Sequence, residues 1–350
     1  MKSIVNDCRA IFRSSFVPLI VILGMMSFAA TPESSFANSP SSKCISLGKI
    51  EKVKSEYFEC VRVGSQLKLK KVSLSKWKES LYASTKLVKL PETIVDPIES
   101  AAGWSSIPFL RQMKWSSDEG HYPISDGVPI QNGTGARVLL MGDSLAGAIG
   151  PSFLQIQKTY NWDLRVVFRS SCQIAETNIS YKTKEELEKC EIARMDRIKV
   201  ITDFKPEILV LMEDPLNPVV PNNGETASQT WQKGLARALV KLEKFQNMKI
   251  VMISRPVGVS KSLQDCLKRN DQLGKDCFGI FSKDLGIRLV QKKEVEKIGG
   301  KFLDLTPFLC MNGICPPFIR NALVYRDQVH FTNSFAEMLG DEIEDYFKVS

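Results

Sequence analysis

From residue 137 onward the chain alternates short, mostly apolar runs with longer helix-like stretches. The runs are 137–141, 164–168, 208–212, 249–253 and 301–305. They are apolar at successive positions rather than at every second one, which predicts strands covered on both faces, as in a parallel sheet. Stretches 144–159, 184–204, 228–245 and 283–298 predict helices between them, and 333–347 predicts a closing helix. Repeated strand–helix units of this kind predict an α/β fold, a doubly wound α/β/α sandwich on a mainly parallel five-stranded sheet. Ligands of such sheets bind beyond the carboxyl ends of the strands.

The first third of the chain reads differently. Residues 57–63 and 67–72 are short and β-like and flank Gly64-Ser65, a two-residue hairpin signal. Residues 38–43 are rich in Ser, Pro and Asn, and 91–136 carry scattered Pro and Gly, which predicts a connector. Lys2, Arg9 and Arg13 precede an uncharged stretch from Phe16 to Thr31, then small residues. That order predicts a secretory signal peptide over 1–37, with an uncleaved membrane anchor as the alternative. The expected division is a signal over 1–37, a small β module over 38–90, a connector over 91–136 and the main domain over 137–350.

Cysteine usage changes the picture of compartment. Eight of the nine cysteines lie beyond the expected signal, in neighbouring pairs: Cys44/Cys60, Cys172/Cys190, Cys266/Cys277 and Cys310/Cys315. Neighbour pairing is one connectivity among many. Short disulfide loops suit an exported, oxidised protein, secreted or retained in the cell envelope, and a clip suits a β module too small for its own core. No Cys-x-x-Cys or nearby histidine supports a zinc site, so no metal is expected. The net charge of +8 is equally uneven. Residues 43–89 hold twelve Lys/Arg against four Glu, and the rest is nearly balanced. Such a segment is either a solvated basic face or an attractor for an anionic cell-envelope polymer. No aromatic interleaving in it points to nucleic acid.

Candidate chemistry is sparse. The chain has two histidines. His121 lies in a polar turn and reads as an exposed loop residue. His330 ends Asp327-Gln328-Val329-His330, just before the closing helix. Gly142-Asp143-Ser144-Leu145 follows the first apolar strand and opens a helix, whose unpaired N–H groups and dipole stabilise a developing oxyanion. A serine hydroxyl needs a base, which His330 supplies, and Asp327 is placed to hold the imidazole tautomer. Arg169 and Arg255, each at a strand end, read as surface arginines or as binders of a substrate carboxylate or sugar. Trp231, opening a helix, reads as packing.

These residues resemble the SGNH (GDSL-type) hydrolase superfamily, with its first block at Gly142-Asp143-Ser144-Leu145 and its fifth at Asp327-x-x-His330. More narrowly they resemble the SGNH domain attached to, or partnering, membrane acyltransferase-3 proteins, over residues 137–348. Ser170-Ser171-Cys172, Lys205–Leu211 and Cys310…Cys315-Pro316 carry that narrower likeness. The resemblance implies a flavodoxin-like SGNH fold and an exported serine esterase or O-acyltransferase. The implied substrate is O-acylated, in particular O-acetylated, cell-envelope carbohydrate; the implied partner is a membrane acyltransferase, and no cofactor is needed. Two departures stand out. The family's third block supplies an asparagine amide to the oxyanion hole, whereas this chain reads Met212-Glu213-Asp214-Pro215, with no asparagine before Asn217. The second-block glycine is replaced by Ser170 or Ser171. Either backbone N–H groups of Ser144 and Ser171 form the hole alone, or Asn217 joins them. The alternative is a non-catalytic glycan-binding protein on a degenerate scaffold.

Overall fold

The computed structural model describes residues 44, 46–95, 128–245, 247–259, 261, 265–266, 272–281 and 285–348. The expected signal segment, residues 38–43, His121 and most of the 91–136 connector lie outside the described residues.

The described residues open with an antiparallel meander of β1 (Ile50–Val53), β2 (Glu56–Val63) and β3 (Gln66–Val72), with Gly64 at φ +60° in the predicted hairpin turn. Helix α1 (Lys76–Ser84), capped by Ser75, follows and was not among the expected elements. The meander closes on the Cys44–Cys60 disulfide, Phe58 and Leu69. Its neighbour α1 joins the main core instead: Trp77 and Leu81 are buried among the side chains of the large sheet's helices. The Trp77 indole N–H donates to the Phe308 carbonyl at 2.9 Å, and the Asn312 side chain brackets Ile50 with bonds of 2.7 and 2.8 Å.

The main body then runs β4 (Val128–Asn132), β5 (Arg137–Gly142), α2 (Ser144–Tyr160), β6 (Asp163–Phe168), α3 (Lys184–Phe204), β7 (Ile208–Met212), α4 (Ala227–Glu243) and β8 (Lys249–Ile253). After these come β9 (Gly279–Ile280), α5 (Leu285–Lys297), β10 (Lys301–Leu303), α6 (Thr306–Leu309) and α7 (Asn333–Ile343). The five expected strands pair in parallel in the order β10-β8-β7-β5-β6, and β4 adds an antiparallel edge beside β6. The edge strand falls in the stretch read as connector. Pro129 obscures it in the sequence, and an edge is where a strand tolerates proline. The closing helix also stops earlier than expected, at Ile343, and continues as a 3-10 turn over Glu344–Phe347.

Alternate residues of each inner strand serve opposite faces. Val138 and Leu140 meet Phe153, Ile156, Phe335 and Leu339 on the α2/α7 side, whereas Leu139 and Met141 meet Val200, Ile201, Leu235 and Leu239 on the α3/α4 side. That is the predicted three-layer sandwich, and it explains why the strands are apolar at successive positions. All four neighbouring cysteine pairs are bonded: Cys44–Cys60, Cys172–Cys190, Cys266–Cys277 and Cys310–Cys315. No helix among the described residues is long and apolar enough to cross a membrane.

Candidate active site

The order of strands reverses between β5 and its neighbours β6 and β7, so their carboxyl ends open a crevice. Gly142 ends β5 there. A Cβ on Gly142 would stand 1.7 Å from the Met212 carbonyl oxygen, so only glycine lets β5 and β7 close up before the turn. Asp143 then caps α2, its Oδ1 accepting from the Leu145 N–H at 2.9 Å, and Ser144 becomes the first helical residue.

The loop ahead of α7 brings His330 to it. Ser144 Oγ–H donates to His330 Nε2 at 2.8 Å, and His330 Nδ1–H donates to Asp327 Oδ2 at 2.7 Å. Asp327 Oδ1 accepts from the backbone N–H groups of Val329 and His330, both at 2.8 Å, which fixes the carboxylate within its own loop. Burial opposes the charge of Asp327, but the side-chain bond and charge of His330 and these backbone bonds outweigh it and hold the group below the ordinary aspartate range. An ionised Asp327 accepts only, so Nδ1 carries the ring proton and Nε2 faces the serine as an acceptor. A hydroxyl, an imidazole and a carboxylate in hydrogen-bonded series have the geometry that a nucleophile, a base and its orienting group require.

The second predicted turn is equally definite. Ser171 follows β6 at φ +53°, in the left-handed region that glycine occupies most readily. Of the two serines that could replace the missing glycine, Ser171 therefore takes its conformation. The Cys172 N–H donates back to Arg169 O at 3.1 Å, which closes the turn around Ser171.

The end of β7 carries acids where the family has its asparagine amide. Glu213 is fully buried and accepts from the Ala175 N–H at 2.9 Å and the Trp231 indole N–H at 3.1 Å, so Trp231 packs inside rather than presenting a platform. Burial raises the Glu213 carboxyl above its ordinary range. Asp214 accepts from Arg255 Nε at 2.8 Å and from the Leu216 N–H at 2.9 Å. Both acids accept hydrogen bonds here. Asn217 lies farther along the same turn, its Oδ1 accepting from the Tyr181 hydroxyl at 3.3 Å.

Arg169 and Arg255 are both buried, not surface arginines. Arg169 lies where its charge is felt by Lys182 and Glu186 near the start of α3. Arg255 lines a cavity of about 290 Å³ together with Leu216, Phe278, Ile280 and Gln328, the last being the residue after Asp327.

Two site residues carry no signal of their role in the sequence. Asp143 stands inside the Gly-Asp-Ser motif, where it looks like a simple turn residue; it is fully buried, its Oδ2 also accepting from the Asp214 N–H at 2.7 Å. Burial, reinforced by the charge of Asp214, pushes its carboxyl up to about 8. Arg197 is one of two arginines within a charged helix and looks like any solvated residue. It is 3% exposed and points under the crevice. Among the described residues no group of three or more His, Cys, Asp or Glu side chains could hold a metal ion.

Known proteins share this fold. The model of the family described as "SGNH domain (fused to AT3 domains)" matches residues 113–345. Among solved structures, the periplasmic domain of the lipopolysaccharide acetyltransferase of Salmonella ser. Paratyphi A superposes with a TM-score of 0.54 at 13% identity. The match covers 72% of this chain and 97% of that one, and at such identity it establishes the fold alone. No curated protein matches by sequence.

Proposed function

The chain belongs to the SGNH family whose domains are fused to AT3 domains, and on that premise we propose that it is an exported serine esterase or O-acetyltransferase acting on cell-envelope carbohydrate. The observation that carries the proposal is the continuous chain Ser144–His330–Asp327, with bonds of 2.8 and 2.7 Å. His330 Nε2 takes the Ser144 proton as Oγ attacks an ester carbonyl. Asp327 stabilises the imidazolium, which then protonates the leaving alcohol and leaves an acyl-serine. Water or a sugar hydroxyl, giving its proton to Nε2, attacks that ester and frees Ser144. Water makes the reaction hydrolysis; a sugar hydroxyl makes it transfer.

The oxyanion faces the N–H groups of Ser144, at the open end of α2, and of Ser171 in its left-handed turn. Asn217, engaged by Tyr181, is the candidate third donor. The cavity beside Gln328, with Arg255 and Phe278 in its wall, is the proposed seat of the acceptor sugar. Arg169 is the second candidate for substrate contact. The likeness to the Salmonella protein, a periplasmic domain of a lipopolysaccharide acetyltransferase, supports both the acetyl carbohydrate substrate and export. Fusion of family members to AT3 domains supports a membrane acyltransferase as the acyl source. Four disulfides suit an oxidising compartment.

A second reading, a glycan-binding protein without turnover, is favoured by one observation: Glu213 and Asp214 stand where the family's donor amide would be. Aryl acetate hydrolysis and fluorophosphonate labelling of the purified protein separate the two. The enzyme reading expects both, with Ser144→Ala and His330→Ala abolishing them and Asp327→Asn slowing hydrolysis on the order of 10⁴-fold. Folded wild-type protein that neither labels nor turns over an acetyl ester, with or without a saccharide acceptor, refutes it.

A further inference from the structure

The oxyanion hole just proposed rests on two separate backbone turns, and one side chain ties them together. Arg197, on α3, donates from Nη2 to the Gly142 carbonyl at 2.6 Å and to the Cys172 carbonyl at 2.9 Å, and from Nη1 to the Gln173 carbonyl at 3.2 Å. Gly142 stands two residues before Ser144, and Cys172 directly follows Ser171. A single nitrogen therefore holds the turn carrying one oxyanion donor against the turn carrying the other.

The rest of α3 is built to place that nitrogen. Cys190, near the start of the helix, is bonded to Cys172. Arg194, one turn before Arg197, donates from Nη2 to the Ala175 and Thr177 carbonyls at 2.9 and 2.8 Å. Four carbonyls of the loop after β6, those of Cys172, Gln173, Ala175 and Thr177, are thus clamped to α3.

Arg197 is a poor choice for stability alone. Its hydrogen-bond partners are neutral carbonyls, and its buried Nε has no partner among the described residues. Desolvating a guanidinium without a directly bonded carboxylate is unfavourable, and an unsatisfied buried donor adds to the cost. Burial and the nearby charge of Arg194 outweigh the acidic groups of Asp143 and Glu213, which favour the cation, and lower its pKa to about 10, so it remains a cation at neutral pH. A cation bridging the undersides of both turns also favours negative charge on their upper side.

We propose that Arg197 is the positioning residue of the oxyanion hole, setting the separation of the Ser144 and Ser171 N–H groups that the reaction needs in the absence of the family's side-chain amide. It touches no substrate and acts through the two turns. The proposal rests on the serine mechanism above. A lysine in its place carries the charge but presents one nitrogen, without the planar fork that reaches three carbonyls.

The test uses the full exported protein with its disulfides intact, comparing wild type, Arg197→Lys and Arg197→Met, with Ser144→Ala as the blank. Aryl acetate kcat and KM are measured alongside affinity for a phenylboronate, whose tetrahedral adduct on Ser144 mimics the oxyanion. The expected result is a kcat lowered about 10²–10³-fold in both variants, KM within a few-fold of wild type, and boronate affinity lost in parallel with kcat. Folded variants with wild-type kcat and boronate affinity, whatever their melting temperature, overturn the proposal. So does full rescue by lysine. Should neither variant fold, the guanidinium ¹⁵N signals of Arg197 in wild-type protein are followed as the boronate adduct forms: a shift supports the coupling, and an unchanged signal overturns it. Wild-type protein that neither hydrolyses the ester nor binds the boronate refutes the serine mechanism itself, and this proposal with it.

Discussion

Asp143 couples the stability of the fold to pH in the direction opposite to most carboxylates. Its folded carboxyl titrates at about 8, against 3.8 for a free aspartate, because burial and the neighbouring charge of Asp214 outweigh two backbone hydrogen bonds. The native state therefore holds a proton that the unfolded chain has already lost. Stability from this group is fully present below the unfolded value of 3.8 and is lost progressively as pH rises to the folded value of about 8. Each pH unit within that window costs about 1.4 kcal/mol. Between pH 5 and pH 8 the loss comes to roughly 3 to 4 kcal/mol. Asp143→Asn removes the titration while keeping one carbonyl acceptor. Urea unfolding of both proteins, disulfides intact, at several pH values from 5 to 8 measures the difference in stability. Wild type should lose ground to the variant steadily as pH rises. The same ionisation places a negative charge next to Ser144, so wild-type turnover should fall above pH 8 and the variant should lack that alkaline limb. A stability difference that stays constant across the range refutes the reasoning: Asp143 would then be ionised in the fold, with its two N–H partners winning over burial.

Two further outcomes test other parts of the structure. Trp77→Ala should destabilise the whole protein by about 3–5 kcal/mol, read as one shifted unfolding transition by both near-UV dichroism and hydrogen exchange in β5 and β7; an unchanged exchange pattern in those strands would mean that α1 folds apart from the main core. Reversing the exposed charges Lys54, Arg62 and Lys70 to glutamate should release the protein from an anionic polysaccharide column at lower salt than wild type without changing its melting temperature. Equal elution would leave the segment as a solvated basic face.

The layered architecture was legible along the chain because burial on both faces of a parallel sheet leaves strands apolar at successive positions, and five such runs are hard to arrange otherwise. That Ser144, His330 and Asp327 would meet was legible too, since their motifs sit where a strand empties and where the last helix begins. Local sequence also named the four cysteine pairs, whose short loops bring each partner near. The edge strand β4 was hidden by proline and by its place in a polar connector, and α1 lacked a neighbour in sequence to reveal which core it enters.

What sequence by itself determined, then, was local: periodicity, turn chemistry, a Gly-Asp-Ser turn at a strand end and a candidate base that is one of only two histidines. Tertiary structure decided everything that depends on groups meeting across the sheet. It chose Ser171 for the left-handed turn, turned Glu213 inward to Trp231 and Asp214 to Arg255, and drew Arg197 beneath the two turns of the site. It also drove the Asp143 carboxyl to about 8. The physical reason is that desolvation and charge–charge energies depend on separation in space, and no pattern along a chain encodes how far apart two distant residues finish.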